Sequence, residues 1–494
     1  MPQKRKQNTN TPKSQPTRRS VNPRPRVSSS YNSATKKSGF STSLPGPLSS
    51  TESSRPSLDG SRPSVGKTVK RSDYGEGGFS SGGFSAGNGV PFSRRSLLIG
   101  AGALAGVAIV GGVGSQAVSS NTKSTSDLDI LSVPENKVTN LDNLSEVSSA
   151  DHVAVIGNFK LPYGSLCWAD NSTVAACLVP GETASPLNTV RLLYLSTGSN
   201  PVVLKNAINH DKGFEILDVR CSDSGMIWVE SNLFTKQWIV MTGSLSGGEV
   251  SNIVQVDQGD ENWASPSIAA VQNRAFWQVC PNTTGENAND RSALKHATFG
   301  SSEVGVAWTS KRPFATRVTP VVDGVVITPR ADSTSVHYQI TKISASDATM
   351  VDQITLPASM KPFEATYLGN GLSFSFDAIY NYGGGIANLG TYTPMGGTDA
   401  YHYSDCDWFR FGRTPTAAPC WSDGWFLAKS TRTIVGIHFP DKVFFSIDIA
   451  DNTDNYGEYL ISSGTQSSFC GLSQIKSTKA GEESYALIRV YTII

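Results

Sequence analysis

Residues 151–494 are expected to fold as an all-β domain, a β-propeller of seven four-stranded blades, with six or eight as alternatives. Three observations predict it. Helical periodicity is scarce, while short runs dense in Val, Ile, Trp, Phe and Thr alternate with turns of Gly, Asn, Asp and Ser. A unit of apolar strand, short polar turn and second strand recurs along the chain. The turns of that unit are spaced at 54, 48, 51, 47, 53 and 57 residues.

The units run in order from Leu166 with its turn at Asn171, from Asp218 with Gly225, and from Ile268 with Asn273. Further units begin at Thr319 with Gly324, Tyr367 with Gly371, and Pro419 with Gly424, and a degenerate one surrounds Gly481. A drifting period of about 50 residues suits one blade per repeat. Asp-Gly and Asn-Gly turns suit tight hairpins, because glycine accepts a positive φ at no steric cost. Such units cannot cover both faces alone, and closing them into a ring removes exposed edges. The competing arrangement is a pair of β-sandwiches with accidental spacing.

Ahead of the repeats, charge is split sharply. The formal net charge is +1, but residues 1–95 hold 17 Lys and Arg against 4 Asp and Glu, and residues 96–494 hold 25 against 37. Residues 1–92 are rich in Ser, Pro, Thr, Gly, Lys and Arg, and nearly empty of large apolar side chains. Such a segment buries too little surface to offset its ordering entropy and is expected to be disordered. Its clusters, such as Lys4-Arg5-Lys6, could touch anionic lipid. Tyr31 and Tyr74 are its only Tyr or Trp residues, so base stacking has little support and no nucleic-acid partner is assigned. Residues 96–113 form an apolar, glycine-rich run whose helix would reach about 27 Å, close to the thickness of a hydrocarbon core. Positive charge before such a run is retained on the cytoplasmic side. Residues 118–150, rich in Ser, Thr, Asn and Asp, read as a linker.

The run opens with Ser93-Arg94-Arg95-Ser96-Leu97-Leu98-Ile99, which resembles the bacterial twin-arginine export signal. Leu97 stands where Phe is usual, and Ile99 replaces the frequent Lys. The resemblance covers residues 93–117 and implies transient handling by the twin-arginine translocase and passage of a folded domain across the cytoplasmic membrane. Ser115-Gln116-Ala117 offers small residues for cleavage after Ala117; retention as a transmembrane anchor is the alternative. The repeats are similar to those of bacterial extracytoplasmic propellers and carry no Trp-Asp or kelch signature. Together these imply a domain at the membrane or cell surface, with the N-terminal tail in the cytoplasm.

Seven cysteines all lie beyond the signal, as suits an oxidising exterior. Cys167 and Cys177 fall on two arms of one predicted hairpin and could pair. Cys406 and Cys420 bracket a short loop and are a second candidate pair. The six histidines are scattered, with no two at ligand spacing, and no Cys-x-x-Cys, nucleophile elbow or phosphate loop occurs, so no metal or cofactor is assigned. The acidic runs 257–262 and 448–454 could offer oxygen ligands to calcium, but ordinary solvated turns suit them better.

The stretch 377–413 is the most unusual. Tyr401, His402, Tyr403, Asp405, Asp407 and Trp408 combine aromatic faces with carboxylates, a mixture suited to stacking a carbohydrate or holding a peptide. The alternative is a long loop packing its aromatics onto the ring. With no catalytic constellation in view, the favoured function is a ligand- or protein-binding module outside the membrane, with a cell-wall, glycan or protein ligand. A polymer-degrading hydrolase or lyase is the second reading: its carboxylates would come from different blades, about 5–10 Å apart at the mouth of the channel. A single-span sensor with a cytoplasmic basic tail is the third.

Overall fold

A computed structural model describes residues 128–376, 384–396, 402–412, 418–479 and 481–494. The tail 1–92, the motif residues Ser93, Arg94, Arg95, Leu97 and Leu98, and Ala117 lie outside the described residues, as does Tyr401. Among the described residues the helices are five 3₁₀ turns of three residues each. No helix among them is long and apolar enough to cross a membrane.

The fold is an all-β propeller. Among the described residues the strands form seven sheets, spanning in chain order residues 166–204, 215–259, 267–310, 319–355, 364–411, 420–446 and 453–493. The first six are antiparallel meanders in which sequential strands pair. The seventh takes its three inner strands from the C-terminus and its outer one, Val153–Pro162, from the start of the domain, paired antiparallel with Tyr485–Ile493. Joining the two ends in one sheet leaves no gap in the ring.

Packing follows from the two-residue period of a strand. In Val174–Pro180, Val174, Ala176 and Leu178 pack on Val219 and Trp228 of the second sheet. The alternate residues Ala175, Cys177 and Val179 pack on Cys470, Leu472 and Ile488 of the seventh. Both faces of a middle strand are thus covered, which is why these strands read as unbroken apolar runs rather than alternating ones. The same arrangement joins the second sheet to the third, the third to the fourth, and so on around to the seventh.

The predicted turns at Asn171, Gly225, Asn273, Gly324, Gly371 and Gly424 each join, or stand at the edge of, the first two strands of a sheet. Asp423 and Gly424 both take positive φ, 41° and 84°, as a tight two-residue hairpin demands. The seventh unit is out of phase. Gly481 lies in the next turn outward, between Phe469–Ile475 and Tyr485–Ile493, whereas the first turn of that sheet is a long connection containing Gly464. That connection has work at the ring's centre, described below, and so lost the short-turn signature.

The stretch expected to be a linker departs from that expectation from residue 128 onward. Ile130 bridges Thr355, the last residue of the fourth sheet's outer strand. Val138–Asn140 then adds a parallel strand outside Trp408–Phe411 of the fifth sheet, and Ser145–Glu146 one outside Val443–Ser446 of the sixth. Residues 130–162 thus form a belt along the outer edges of four consecutive sheets. The reason is compositional: Leu131, Val133, Val138, Leu141, Leu144 and Val147 punctuate the polar background and each packs on a core cluster. Leu131 and Val133 are 6% and 3% exposed, burial worth about 1.5–3 kcal/mol apiece.

Candidate functional site

The first strand of each sheet lies toward the ring's axis. Ser267–Val271 touches both Glu215–Cys221 and Thr319–Val321, and the latter touches Glu364–Leu368. Across this centre runs the segment 461–467, the long first connection of the seventh sheet. Gly464–Thr465 pairs parallel with Cys420–Ser422 of the sixth sheet, and Ser462 bridges Ala169 of the first. The Ser463 hydroxyl donates to Asp170 Oδ1 at 3.2 Å. Gln466 Nε2 donates to the Asp170 carbonyl at 2.9 Å, and Ser172 Oγ donates to Gln466 Oε1 at 2.8 Å. At Gly464, with φ of 67°, the backbone passes close to Val321 of the fourth sheet. A chain of small polar residues is what such a crossing needs, since its backbone must pair with several inner strands at once.

Against this crossing lies a cluster of four charges. Asp170 is in the first turn of the first sheet, Asp218 and Arg220 are two apart on Glu215–Cys221, and Arg317 precedes Thr319–Val321. Arg220 sits between the two aspartates: its Nη1 donates to Asp218 Oδ1, and its Nε is 3.5 Å from Asp170 Oδ2. Its guanidinium also lies over the Trp168 ring, 4.1 Å from the centroid. Arg317 donates to the other oxygen of Asp218, and the Val219 amide adds a third donor at 2.9 Å. Asp218 is therefore saturated. Asp170 is not: its side chain is 6% exposed, and Oδ2 is buried without a hydrogen-bond donor. Arg317 is the open member, with 57% of its side chain exposed.

Burial pushes the Asp170 carboxyl up to about 6, against the opposing pull of Arg220 and the Ser463 hydroxyl. Because the folded value lies above the ordinary carboxylate range, folding takes up a proton. Stability from this group is full below about pH 4 and is lost as pH rises through about 6. The size is on the order of 3 kcal/mol. Asp170→Asn should accordingly flatten the fall in thermal midpoint between pH 4.5 and 7.5, measured side by side with the parent chain. An unchanged slope would remove Asp170 as its source.

The predicted aromatic site is built differently from a stacking platform. Tyr403, in the turn Tyr403–Asp405, is buried; its hydroxyl donates to Asp352 and accepts from the Leu372 amide at 3.0 Å. Burial and then Asp352 push its phenol well above the ordinary range. Trp408 is fully buried, donates Nε1–H to the Tyr403 carbonyl at 3.0 Å, and meets Phe374 edge-on at 5.9 Å. His402, Asp405 and Asp407 face solvent. The aromatic faces are thus spent on the core between the fourth and fifth sheets, and the polar members stay outside.

All seven cysteines are free thiols. Cys167 and Cys177, expected on the two arms of one hairpin, face each other in register across the first hairpin. Cys406 and Cys420 are not brought together: Cys406 packs on the cluster between the fourth and fifth sheets, and Cys420 lies between the sixth and seventh. In the run 257–262, Asp257 is taken by Lys295 at 2.8 Å and Trp277 Nε1 at 2.7 Å. Among the described residues, no three His, Cys, Asp or Glu side chains gather as a metal site.

Sequence reasoning missed the central cluster, which gathers residues from three sheets spread over positions 170 to 317. One signal was present: Asp218 and Arg220, charges two apart inside an apolar run, demand buried partners.

No family model and no curated protein matches the chain. Solved structures share its general form at low similarity. Puromycin hydrolase matches at 13% identity and a TM-score of 0.41, over 66% of this chain and 51% of that one. The β-propeller domain of the Trilobed protease from Pyrococcus furiosus matches at 10% identity and 0.38, over 68% and 95%. The WD40 domain of SCAP from fission yeast matches at 7% identity and 0.37, over 69% and 98%. This chain spans about half the length of the puromycin hydrolase structures. At these scores the matches carry no argument about activity, and the propeller assignment rests on the ring of sheets itself.

Proposed function

We propose that this chain is an exported or membrane-anchored binding module: a seven-bladed propeller held outside the cytoplasmic membrane, with its basic tail inside. Each of the seven sheets counts as one blade, and Val153–Pro162 closes the ring. The export half of the reading rests on the twin-arginine resemblance and the charge split. The binding half rests on one observation: the ring's centre is crossed by residues 461–467 and lined by a cluster that offers a half-exposed Arg317 but no freely exposed carboxylate. A polymer strand has no open path through such a centre, whereas a cell-wall, glycan or protein ligand can engage the rim where Arg317 emerges. Guanidinium is well suited to carboxylate groups on such a ligand.

The test uses the full chain, carrying a C-terminal tag, expressed in a bacterium with a twin-arginine pathway. The tag should be accessible from outside intact cells, and its confinement to the cytosol would end the export reading. The purified chain should sediment with isolated cell-wall sacculi, with affinity reduced about tenfold or more in Arg317→Ala. Equal sedimentation of parent and variant would overturn the role of that rim.

A second reading, a hydrolase, has one observation in its favour: Asp170 and Asp218 flank a single arginine, one carboxyl raised and the other saturated by donors. Soluble fragments released from sacculi by the parent and not by Asp170→Asn would favour it over binding.

A further inference from the structure

We propose that Cys167 and Cys177 are a disulfide-forming site, oxidised by a small-molecule disulfide while the chain folds, which staples the hairpin that carries Asp170. This inference stands independently of the binding reading. Three observations carry it. The two residues are direct partners in antiparallel strands, Leu166–Trp168 and Val174–Pro180. Their side chains therefore leave the sheet on the same face, toward the seventh sheet, where both enter one apolar cluster. Both side chains are buried, at 1% and 0% exposure. Directly opposed strand positions bring Cα atoms to roughly 4.5–5.5 Å, inside the span a disulfide bridges.

The other cysteines are placed less well. Cys221 is on the second sheet with its thiol directed to the Val174 carbonyl at 3.8 Å, and Cys470 is on the seventh. Either would have to reach Cys177 across a packed interface between sheets, where no shared register fixes the distance.

The chemistry balances with a disulfide oxidant such as oxidised glutathione. One protein thiolate attacks a glutathione sulfur and releases one glutathione thiolate. The second protein thiolate then attacks the mixed disulfide at the protein sulfur and releases the other. Two protein thiols are oxidised, one disulfide is reduced to two thiols, and the two protein protons end on glutathione. Burial pushes the Cys177 thiol up, and its contact with Cys167 adds to this, so the folded dithiol is a poor nucleophile. The bond must then form before the first sheet is enclosed between the seventh and second. Closing this hairpin would hold the turn at residues 169–173, from which Asp170 and Ser172 grip the crossing segment.

Trypsin should release both cysteines in one peptide, residues 161–191, because no Lys or Arg intervenes. The full chain is unfolded, reduced, refolded in oxidised and reduced glutathione, alkylated and digested. The expected result is an unalkylated peptide about 2 Da lighter than the dithiol. The same glutathione buffer added to already folded, reduced chain should leave the two thiols intact over the same period. A doubly alkylated peptide after refolding, or one joined to the peptide of Cys221 or Cys470, overturns the proposal. A thermal midpoint about 5 °C higher for the oxidised chain than for the reduced is the accompanying expectation, and Cys167→Ala with Cys177→Ala should abolish the difference. No difference in the parent chain would overturn the staple.

Discussion

Replacing Arg220 by Met should cost about 3–5 kcal/mol of folding stability at pH 7.5, because it leaves the buried Asp170 carboxylate without a cation and removes one of the donors to Asp218. Arg220 gives Nη1–H to Asp218, approaches Asp170 to 3.5 Å through Nε, and covers Trp168. Met fills much of the space over Trp168 but supplies no donor, so the loss is electrostatic rather than a cavity. Arg317 and the Val219 amide still hold Asp218, whereas Asp170 would keep only the Ser463 hydroxyl. The penalty should therefore shrink as pH falls below 6, where Asp170 takes up its proton. Guanidinium unfolding followed by tryptophan fluorescence at pH 7.5 and 5.0 measures both values. A penalty that is equal at the two pH values would mean that Asp170 is not the group being stranded. Arg220→Lys should fall between, since it keeps the charge and loses the fork.

Arg489→Met in the seventh sheet should be equally severe, about 3–5 kcal/mol, because it leaves a fully buried Glu458 without its cation. Glu458 lies on Thr453–Leu460 and reaches across Gly471 of Phe469–Ile475 to Arg489 on Tyr485–Ile493. Arg489 holds it through two nitrogens, and the Tyr491 hydroxyl donates to Oε1 at 2.7 Å. Gly471 makes room: a Cβ there would collide with the carboxylate. Gly471→Ala should thus destabilise by displacing the same pair, without changing any charge. The matching check is a shared loss of unfolding midpoint in both variants. If Gly471→Ala were neutral, the carboxylate would have to sit elsewhere than above that glycine.

Local features were the legible ones. The hairpins at Asn171, Gly225, Asn273, Gly324, Gly371 and Gly424 announce themselves because turn chemistry and strand alternation act over a few neighbouring residues. The aromatic stretch was legible as unusual, and packing of its aromatics onto the ring was one of its two readings; which residues they meet was not legible, because Tyr403 and Trp408 gain their burial from Asp352, Leu372 and Phe374, which belong to two different sheets. The first part of the belt was hidden because Val138–Asn140 and Ser145–Glu146 are only three and two residues long, and pair parallel with strands about 270 to 300 positions away. Strand pairing of that kind leaves no periodic mark.

Composition and spacing by themselves determined that this is a repeating all-β chain behind a basic front poor in large apolar residues. They also placed Cys167 and Cys177 on the two arms of one hairpin. Only the tertiary structure decided that residues 461–467 cross the ring, that Asp170, Asp218, Arg220 and Arg317 meet there, and that Tyr403 and Trp408 turn inward. The physical reason is range. Turn and strand preferences are set by sterics within a few residues, whereas a buried charge or a crossing segment is stabilised by partners that become neighbours only once the ring has closed.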